Sequence, residues 1–398
     1  MKHTLFILST LVPPMLAAVL LAAVLLAAVL LAAVTPAGAV ERVILRRDGR
    51  EQEITGQLLV TAQDKGMLIL APDATLWTVE PAELIKHESV EAPFQPLSTG
   101  EMAKRLLAEL PAGFEVHTTQ RYLICHNTSR AYAQWCGALF ERLYFAFSNY
   151  WRRKGFDISE PQFPLVAVVF ADRQSYADYA RGELGESTDA IIGYYSLRSN
   201  RMTMYDLTGI ASLRRPGDRR SSAAQINAML ARPEAERTVA TIIHEATHQI
   251  AFNCGLQTRY ADIPLWVSEG IAVFFETPDL SSSKGWRTVG AVNRVRLAAF
   301  RDYLRRRPAD SLATLIADDK RLRDARQAND AYAEAWALNY FLLRQRSREY
   351  VAYLTVLSAK RQLVWDDPAA RMAEFRRAFG QDLERLDQDF LRHMSGVR

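Results

Sequence analysis

Two histidines and a glutamate near the middle of the chain have the spacing of a metal site. His244, Glu245 and His248 form the pattern His-Glu-x-x-His within an apolar stretch. On a helix, residues four positions apart lie on the same face, so both imidazoles can bind one ion. Glu245 is too near His244 to be a comfortable third ligand, but it can take a proton from a water molecule at the ion. The pattern therefore predicts zinc as the cofactor and Glu245 as the general base.

Glu269 is the best candidate for the third protein ligand that a catalytic zinc requires. It lies in a second apolar segment with a helical pattern, which follows Pro264, a residue that the first turn of a helix tolerates. Gly255 is a natural C-cap and marks the end of the first helix. The short connection lets the two helices pack antiparallel, which would bring Glu269 back toward His244 and His248. Two histidines, a glutamate and a water molecule form a hydrolytic zinc site.

These motifs resemble those of the gluzincins, a group of zinc peptidases in which a glutamate on the next helix completes the ligand set. The resemblance covers the His-Glu-x-x-His motif, the Trp-x-x-Glu-Gly-x-Ala segment that begins at Trp266, and the helical stretch beyond it. It implies a zincin-like fold, zinc bound by His244, His248 and Glu269, and a peptide or protein as the substrate.

Five longer segments are similar to a bacterial family of peptidase-MA-like proteins, domain of unknown function 1570. This similarity implies the same fold and the same metal site, but no particular substrate. The segments are residues 127–144, 200–209, 244–259, 285–294 and 331–341.

One position departs from the gluzincin pattern. Thermolysin-type enzymes carry an aspartate four residues after the glutamate ligand, where it orients a histidine, and this chain has Val273 there. Either another acid, such as Glu276 or Asp279, orients a ligand histidine, or the site is tuned differently.

The resemblance also implies a side-chain donor for the oxyanion that forms when water attacks a carbonyl group. In the aminopeptidase branch of the gluzincins this donor is a tyrosine on a later helix, and Tyr332 is the candidate here. Tyr332 could instead simply pack between helices. The other candidate donors are Tyr340 on the same helix and Tyr194, Tyr195 and Tyr205 on predicted strands.

The start of the chain has the pattern of an export signal. Lys2 precedes a long apolar run, and a small-x-small cleavage site ends at Ala39. We therefore predict that residues 1–39 are a signal peptide, cut after Ala39, and that the protein is extracytoplasmic, either periplasmic or secreted. The uninterrupted apolar run at residues 15–34 is also long enough to span a bilayer, so an uncleaved signal anchor that tethers the protein to the membrane is the alternative.

Three further segments are predicted after the leader. Residues 41–90 contain four or five short strand patterns separated by turn residues, which predicts a small SH3-like β-barrel. This barrel could bind a ligand or serve only for packing. Residues 91–100 are rich in proline and form the predicted linker, and residues 101–398 form the predicted gluzincin-like metallopeptidase domain.

The fold class predicted for this larger domain is α+β with two lobes. A lobe with a mixed sheet comes first, the His-Glu-x-x-His helix lies between the lobes, and a helical lobe follows residue 276. The substrate cleft is then expected between the lobes. Residues 189–195 and 201–206 have the patterns of two joined strands. We expect the strand at 201–206 to offer a free edge to an extended substrate, with an interior strand as the alternative.

Composition and cysteine content limit the possible partners and disulfide bonds of the protein. The chain has 398 residues, 49% of them hydrophobic, and a net charge of +4, which is ordinary for a globular protein and does not suggest a nucleic-acid partner. Cys125, Cys136 and Cys254 allow at most one disulfide, with Cys125 and Cys136 as the candidate pair and three buried thiols as the alternative. No feature of the sequence indicates an oligomeric state.

Together these observations predict an exported zinc-dependent peptidase that cleaves peptide bonds with a water molecule activated by Glu245. Two other functions stay open. One is a catalytically silent envelope protein that binds peptide or cell-wall material, and the other is a zinc hydrolase of a non-peptide amide. Cleavage of an unfolded protein by the wild type, but not by Glu245→Gln, would distinguish a peptidase from both.

Overall fold

The structure is a computed structural model that describes residues 40–185, 188, 191–277, 279–280, 286 and 288–398. It is an α+β protein with two five-stranded sheets and, in the described residues, thirteen α-helices. The predicted leader, residues 1–39, lies outside the described residues. Within the part of the chain that is described, no helix is both long and apolar enough to cross a membrane.

The strand segments predicted within residues 41–90 form one antiparallel sheet with the order β4-β3-β2-β1-β5. β4 and β5 are its opposite edges and are not paired with each other, so the sheet is open and the predicted closed barrel is not observed. The strands are β1 (Val40–Arg47), β2 (Arg50–Thr61), β3 (Met67–Leu70), β4 (Leu76–Val79) and β5 (Leu84–Val90).

The β4 side of this first sheet contacts the rest of the protein instead of closing on β5. The backbone N–H of Leu76 donates to the carbonyl of Arg198 at 2.8 Å. The guanidinium of Arg259 donates to the carbonyls of Ala74 at 2.9 Å and of Leu197 at 3.0 Å. These bonds pair backbone groups at and just before the start of β4, so this end of the edge strand contacts the rest of the protein.

The second sheet has the order β6-β7-β8-β10-β9. Its three central strands, β7, β8 and β10, run parallel, and β6 and β9 are antiparallel edge strands. Every residue of β8 is buried, as expected for a central strand covered on both faces. The strands are β6 (Glu115–Thr118), β7 (Tyr122–His126), β8 (Leu165–Phe170), β9 (Gly193–Tyr195) and β10 (Arg201–Tyr205).

The prediction that residues 201–206 form the free edge of the sheet is wrong. β10 pairs with β8 on one side and with β9 on the other, so both of its edges are occupied. The hairpin turn between β9 and β10 places β9 outside β10, and β9 is therefore the edge strand. The polar residue at the start of β10, Arg201, is buried and forms an ion pair with Glu109 at 2.8 Å, which satisfies its charge inside the protein.

Helices cover both faces of the second sheet and make up most of the chain after residue 290. One face packs against α1 and α3, and the other against α2 and α5. The helices are α1 (Thr99–Glu109), α2 (Arg130–Lys154), α3 (Arg173–Leu184), α4 (Ala223–Leu230), α5 (Glu236–Asn253), α6 (Leu265–Phe275), α7 (Arg294–Tyr303), α8 (Ser311–Ala317), α9 (Lys320–Arg323), α10 (Ala328–Gln345), α11 (Ser347–Ser358), α12 (Pro368–Phe379) and α13 (Leu383–Ser395).

The three cysteines are free and buried, which is the second of the two alternatives considered from the sequence. Cys125 belongs to the apolar cluster on the α1 and α3 face of the sheet, whereas Cys136 and Cys254 belong to the cluster on the other face. The sheet therefore separates Cys125 from Cys136, and burial raises the pKa of the Cys125 thiol to about 11. These thiols are packing residues.

Helix α5 is tied to the sheet by a buried amide. The side chain of Gln249 donates to the carbonyl of Val166 in β8 at 2.9 Å and to the carbonyl of Asn200, just before β10, at 3.0 Å. Gly255, with a φ of 80°, follows the end of α5 and allows the chain to turn, as expected for a left-handed cap. One face of α5 is thus fixed against the strands that lead to the edge strand β9.

Helix α6 is held at a short distance from α10. A Cβ atom on Gly270 would lie 1.9 Å from the side-chain nitrogen of Asn339, so only glycine fits at this crossing. The same nitrogen donates to the carbonyl of Trp266 at 2.9 Å. Next to Trp266, the N–H of Leu265 donates to the carboxylate of Asp319, just before α9, at 3.0 Å. This bond satisfies a free donor in the first turn of α6. These contacts fix the helix that carries Glu269.

Candidate metal centre

Three side chains converge where α5 and α6 pack together. His244 and His248 lie one turn apart on α5, and their Nε2 atoms are 3.1 Å apart. The carboxylate of Glu269 on α6 lies 3.0 Å from His244 Nε2 and 3.6 Å from His248 Nε2. The side chains are 11–15% exposed, so the cluster is largely buried but open to solvent on one side.

The three donor atoms fit a small divalent metal ion. In a tetrahedral zinc site with bonds of about 2.0–2.1 Å, neighbouring donor atoms lie about 3.3–3.4 Å apart. The Nε2 atoms of the two histidines are 3.1 Å apart, Glu269 Oε2 lies 3.0 Å from His244 Nε2 and Glu269 Oε1 lies 3.6 Å from His248 Nε2, all close to that value. Two imidazoles and one carboxylate also leave a fourth position for water or substrate. His244, His248 and Glu269 can therefore hold a metal ion.

The charges at the cluster favour a cation between the three donors. Burial lowers the pKa of His244, but hydrogen bonds with Glu269 and Glu276 outweigh burial and hold that pKa well above its usual value. Burial likewise raises the pKa of Glu269, but the two histidines outweigh it and hold the pKa well below its usual range. The carboxylate of Glu269 is thus ionised, and a divalent cation would supply positive charge that balances it.

Glu276 orients the first histidine. Its carboxylate lies 3.1 Å from His244 Nδ1, which places the ring proton on Nδ1 and leaves the Nε2 lone pair for a metal. Its other oxygen accepts a hydrogen bond from the side chain of Asn293 at 2.8 Å. Of the two acids considered as substitutes for an aspartate at Val273, Glu276 is therefore the one that contacts a ligand histidine. It occupies the C-cap of α6, directly after Phe275.

Ser268 orients the second histidine. Its hydroxyl oxygen lies 3.3 Å from His248 Nδ1 and donates its own proton to the side-chain oxygen of Gln257 at 3.0 Å. Since that proton is used, the His248 Nδ1–H group is the donor in the bond to Ser268. Both Nε2 atoms thus face the centre of the cluster, where a metal ion would take the place of the Nε2 proton.

We expect Glu276→Gln to weaken metal binding by about 10–100-fold, the usual effect of removing the partner of a ligand histidine. The amide keeps the size of the side chain but lacks the negative charge that strengthens the His244 donor. The metal dissociation constant, measured by competition with a chromophoric chelator, tests this. Glu349→Gln, which removes an acid on α11, is the matched control and should bind metal as the wild type does. An unchanged dissociation constant in Glu276→Gln would contradict the role of Glu276.

Glu245 lies between the cluster and the edge of the second sheet. Its carboxylate accepts a hydrogen bond from the backbone N–H of Tyr195 in β9 at 2.9 Å. Burial raises the pKa of Glu245, which makes its carboxylate a stronger base than an exposed glutamate. The side chain also lines a cavity of about 480 Å³ between β9 and α5. It is thus placed to act on a group that enters this cavity.

Tyr332 faces the cluster from α10. Burial and the nearby negative charge of Glu269 raise the pKa of its phenol, so the phenol keeps its proton at neutral pH. The guanidinium carbon of Arg296 lies 5.5 Å from the centre of its ring, and Arg296 Nε lies 3.8 Å from the carboxylate of Glu276. Arg296 thus packs beside both side chains.

The other tyrosines considered from the sequence are engaged elsewhere. The phenol of Tyr194 donates to Glu183 at 3.2 Å, and the phenol of Tyr195 donates to Asn200 at 2.7 Å. Tyr340 and Tyr205 are buried and stack on aromatic neighbours. Among these candidates, the structure therefore brings Tyr332 to the ligand Glu269.

Several residues of the site were not found from the sequence. The N–H of Tyr195, the hydroxyl of Ser268 and the side chains of Asn293 and Arg296 all contact a site residue or its direct partner. Ser268 alone had a local signal, since it is adjacent to Glu269. The others come from segments whose approach to the site depends on the tertiary fold.

Comparison with known proteins covers the part of the chain that holds this site. Residues 238–364 match a family described as protein of unknown function (DUF1570), and this description names no activity. A comparison with curated proteins finds no match. All three candidate ligands, as well as Glu245, Glu276 and Tyr332, fall within the matched residues. The segment that carries the candidate metal centre is thus similar to a protein family of unknown function (DUF1570).

Proposed function

We propose that the protein is a zinc-dependent peptidase that hydrolyses peptide bonds. One observation carries this proposal: the donor atoms of His244, His248 and Glu269 converge beside Glu245, and Glu245 also lines a cavity along the edge strand β9. Metal-assisted hydrolysis of an extended chain needs a set of metal ligands, a buried carboxylate base and an edge strand that can hold the substrate backbone. The resemblance of the sequence motifs to gluzincins supports the same reaction.

Zinc is the metal that suits this donor set best. Two imidazoles and one carboxylate with an open fourth position are the ligands of hydrolytic zinc sites. When bound, zinc would lower the pKa of a coordinated water from about 15.7 toward about 7 and would polarise a substrate carbonyl.

The edge strand β9 is suited to hold the substrate backbone. The N–H of Ser196 donates to the carbonyl of Arg201 at 2.9 Å, so hydrogen-bonded pairs in this hairpin include Ser196 with Arg201 and Tyr194 with Thr203. Because such pairs alternate along an antiparallel ladder, the backbone groups of Gly193 point away from β10. An extended peptide would add to this edge as a further strand.

Glu245 would move the proton during hydrolysis. Its carboxylate takes a proton from the attacking water as the new carbon–oxygen bond forms, and it returns that proton to the nitrogen of the leaving amine when the carbon–nitrogen bond then breaks. The N–H of Tyr195, 2.9 Å from the carboxylate, holds Glu245 toward β9 before a substrate binds. A buried base of this kind contributes typically about 10²–10⁴-fold to the rate.

Tyr332 would donate a hydrogen bond to the oxyanion. Its phenol is protonated at neutral pH and lies beside Glu269, so it can reach a group next to the open position of the cluster. Arg296, on the other face of the ring, adds positive charge near the same point. A preorganised donor of this type typically contributes about 10²–10³-fold to kcat.

We expect Tyr332→Phe to lower kcat and kcat/KM together by about 10²-fold or more, because the lost bond forms only in the transition state. The phenyl ring keeps the packing against Arg296, so the zinc content should equal that of the wild type. Steady-state kinetics and metal analysis test this. Tyr340→Phe, on the same helix, is the matched control. Unchanged turnover in Tyr332→Phe would assign this residue to the core.

The leader sequence supports an extracytoplasmic location for this peptidase. A signal peptide at residues 1–39, cut after Ala39, would release the enzyme, and an uncleaved signal anchor would keep it at the membrane. N-terminal sequencing of the native protein distinguishes these outcomes.

The proposal is tested with an unfolded protein as the substrate. The purified enzyme, loaded with zinc, is incubated with the unfolded protein, and the products are identified by mass spectrometry. We expect new peptides that disappear when zinc is removed by a chelator and return when zinc is added back. Binding without cleavage would favour a silent envelope protein, and cleavage of only non-peptide amides would favour a different zinc hydrolase.

A further inference from the structure

The cavity beside Glu245 extends along one face of α5. Its walls are residues 191–194 of the edge-strand segment on one side and Arg237, Thr238, Thr241 and Glu245 on the other. Arg237, Thr241 and Glu245 are each four positions apart, so their side chains follow one another along the same face of the helix. The cavity thus leads from the proposed base at one end to an arginine at the other.

The guanidinium of Arg237 forms no ion pair with the described residues. Its side chain is exposed, and in the described part of the chain no carboxylate lies within ion-pair distance of it. Neighbouring arginines differ in this respect, because Arg232 pairs with Asp218 and Arg215 pairs with Glu234. Arg237 is also the one cation among the described residues that line this cavity. Its guanidinium is therefore available to a group that enters from solvent.

The direction of a bound peptide follows from the strand. The end of β9 contacts Glu245 through Tyr195, and residues 191–194 line the cavity together with Arg237, so β9 and α5 run in the same direction along it. A peptide that pairs antiparallel with β9, the more stable arrangement, then runs from Glu245 toward Arg237. The residues on the carboxyl side of the cleaved bond would occupy the end of the cavity near Arg237.

The distance between Glu245 and Arg237 determines which residue of the substrate Arg237 can contact. From residue 237 to residue 245, at about 1.5 Å per residue, the helix axis spans about 12 Å. An extended peptide advances about 3.3 Å per residue, and an arginine side chain is long enough to shift the contact by a residue in either direction. The guanidinium would thus meet the third to fifth residue after the cleaved bond.

We propose that Arg237 binds a carboxylate of the substrate, three to five residues beyond the cleaved bond on its carboxyl side. This inference rests on the proposed peptidase function and adds a substrate class to it: peptides that are acidic at this position. The carboxylate belongs to an aspartate or glutamate side chain or to the carboxyl terminus of a short peptide. Both present the planar group that a guanidinium binds through two hydrogen bonds.

Two synthetic peptide mixtures of identical sequences test this, one with free carboxyl termini and one with amidated termini. The cleaved bonds are identified by mass spectrometry for the wild type, Arg237→Glu and Arg377→Glu. Arg377 is exposed on α12, so its substitution changes the net charge equally, away from the cavity. Melting temperatures of the variants show that each is folded.

For the wild type we expect acidic residues to be enriched about twofold to fivefold at the third to fifth position after the cleaved bond, the effect of a solvent-accessible ion pair. This preference should weaken at high salt. It should reverse toward lysine and arginine in Arg237→Glu and persist in Arg377→Glu. Enrichment of internal acids in both mixtures would identify a side chain as the ligand. A preference restricted to peptides with free termini would identify the terminal carboxylate.

Two outcomes would overturn the inference. One is cleavage by the wild type without acidic enrichment on the carboxyl side, and the other is enrichment that Arg237→Glu leaves unchanged. The absence of any cleavage that depends on Glu245 is a different result. It would refute the proposed peptidase function itself and, with it, the role of Arg237.

Discussion

Replacement of Glu245 by glutamine is expected to lower kcat/KM for peptide hydrolysis by about 10²–10⁴-fold, the range that a general base contributes. The amide has nearly the size of the carboxylate, and its oxygen can still accept the hydrogen bond from Tyr195 N–H. It cannot take a proton from water. Because Glu245 is not one of the three donors of the metal cluster, the zinc content of the variant should equal that of the wild type.

The decisive measurement combines kinetics with metal analysis. Initial rates of cleavage of an unfolded protein are compared between the wild type and Glu245→Gln, and the zinc content of each sample is determined by atomic spectroscopy. Glu349→Gln, far from the cavity on α11, controls for the loss of an acid and should keep full activity. Wild-type rates in Glu245→Gln at full zinc occupancy would refute Glu245 as the base.

The second large effect is expected on metal binding. Zinc should bind the wild type at about one ion per chain, and His248→Ala should lose it on dialysis, because two protein donors remain where a catalytic zinc site has three. The fold should persist, since α5 and α6 are also held by Gln249 at the sheet and by Gly270 at α10. Metal analysis after dialysis and far-ultraviolet circular dichroism test both parts.

A histidine away from the cluster provides the control for His248→Ala. His87 in β5 forms a hydrogen bond with Glu41 in the first sheet, away from the metal cluster, and His87→Ala should bind zinc as the wild type does. Full zinc occupancy in His248→Ala would end the assignment of His248 as a ligand. The absence of zinc from the wild type, with the fold intact, would end the assignment of the cluster as a zinc site.

Much of the cluster could be predicted from the sequence because it depends on local geometry. The spacing of His244 and His248 places both rings on one helix face, whatever surrounds the helix. Glu269 was found because the next apolar helix has one acid on its inner part and Gly270 beside it. The structure adds the reason for that glycine, which is the close crossing of α6 and α10 at Asn339. For these residues, short-range periodicity was enough information.

The sequence left two candidates for the residue that orients His244. Val273 excludes the usual position, and the two remaining acids, Glu276 and Asp279, are both close in sequence. The choice between them depends on how the chain leaves α6, where Glu276 occupies the C-cap and is held by Asn293 from the start of α7. Glu276 and Asn293 belong to different segments, and the periodic pattern within each helix does not predict a contact between them.

The edge of the second sheet was decided by tertiary structure alone. Residues 193–195 and 201–205 both have strand patterns, and the pattern of a strand does not state whether one or both of its sides are paired. Parallel pairing of β10 with β8 uses the side that the sequence reasoning left free, so β9 becomes the edge. In the same way, β4 and β5 have the patterns of barrel strands, yet the hydrogen bond from Leu76 to Arg198 holds the start of β4 against the turn between β9 and β10.

The sequence by itself therefore predicted the three side chains that can hold a metal, the proposed base and the α+β class, because these follow from spacings of a few residues and from the periods of helices and strands. Only the tertiary structure decided which strand faces the cavity, which acid orients His244 and where Tyr332 and Arg237 lie. Those properties depend on contacts between residues far apart in the chain. Such contacts are set by the packing of whole elements, which local patterns of residues do not encode.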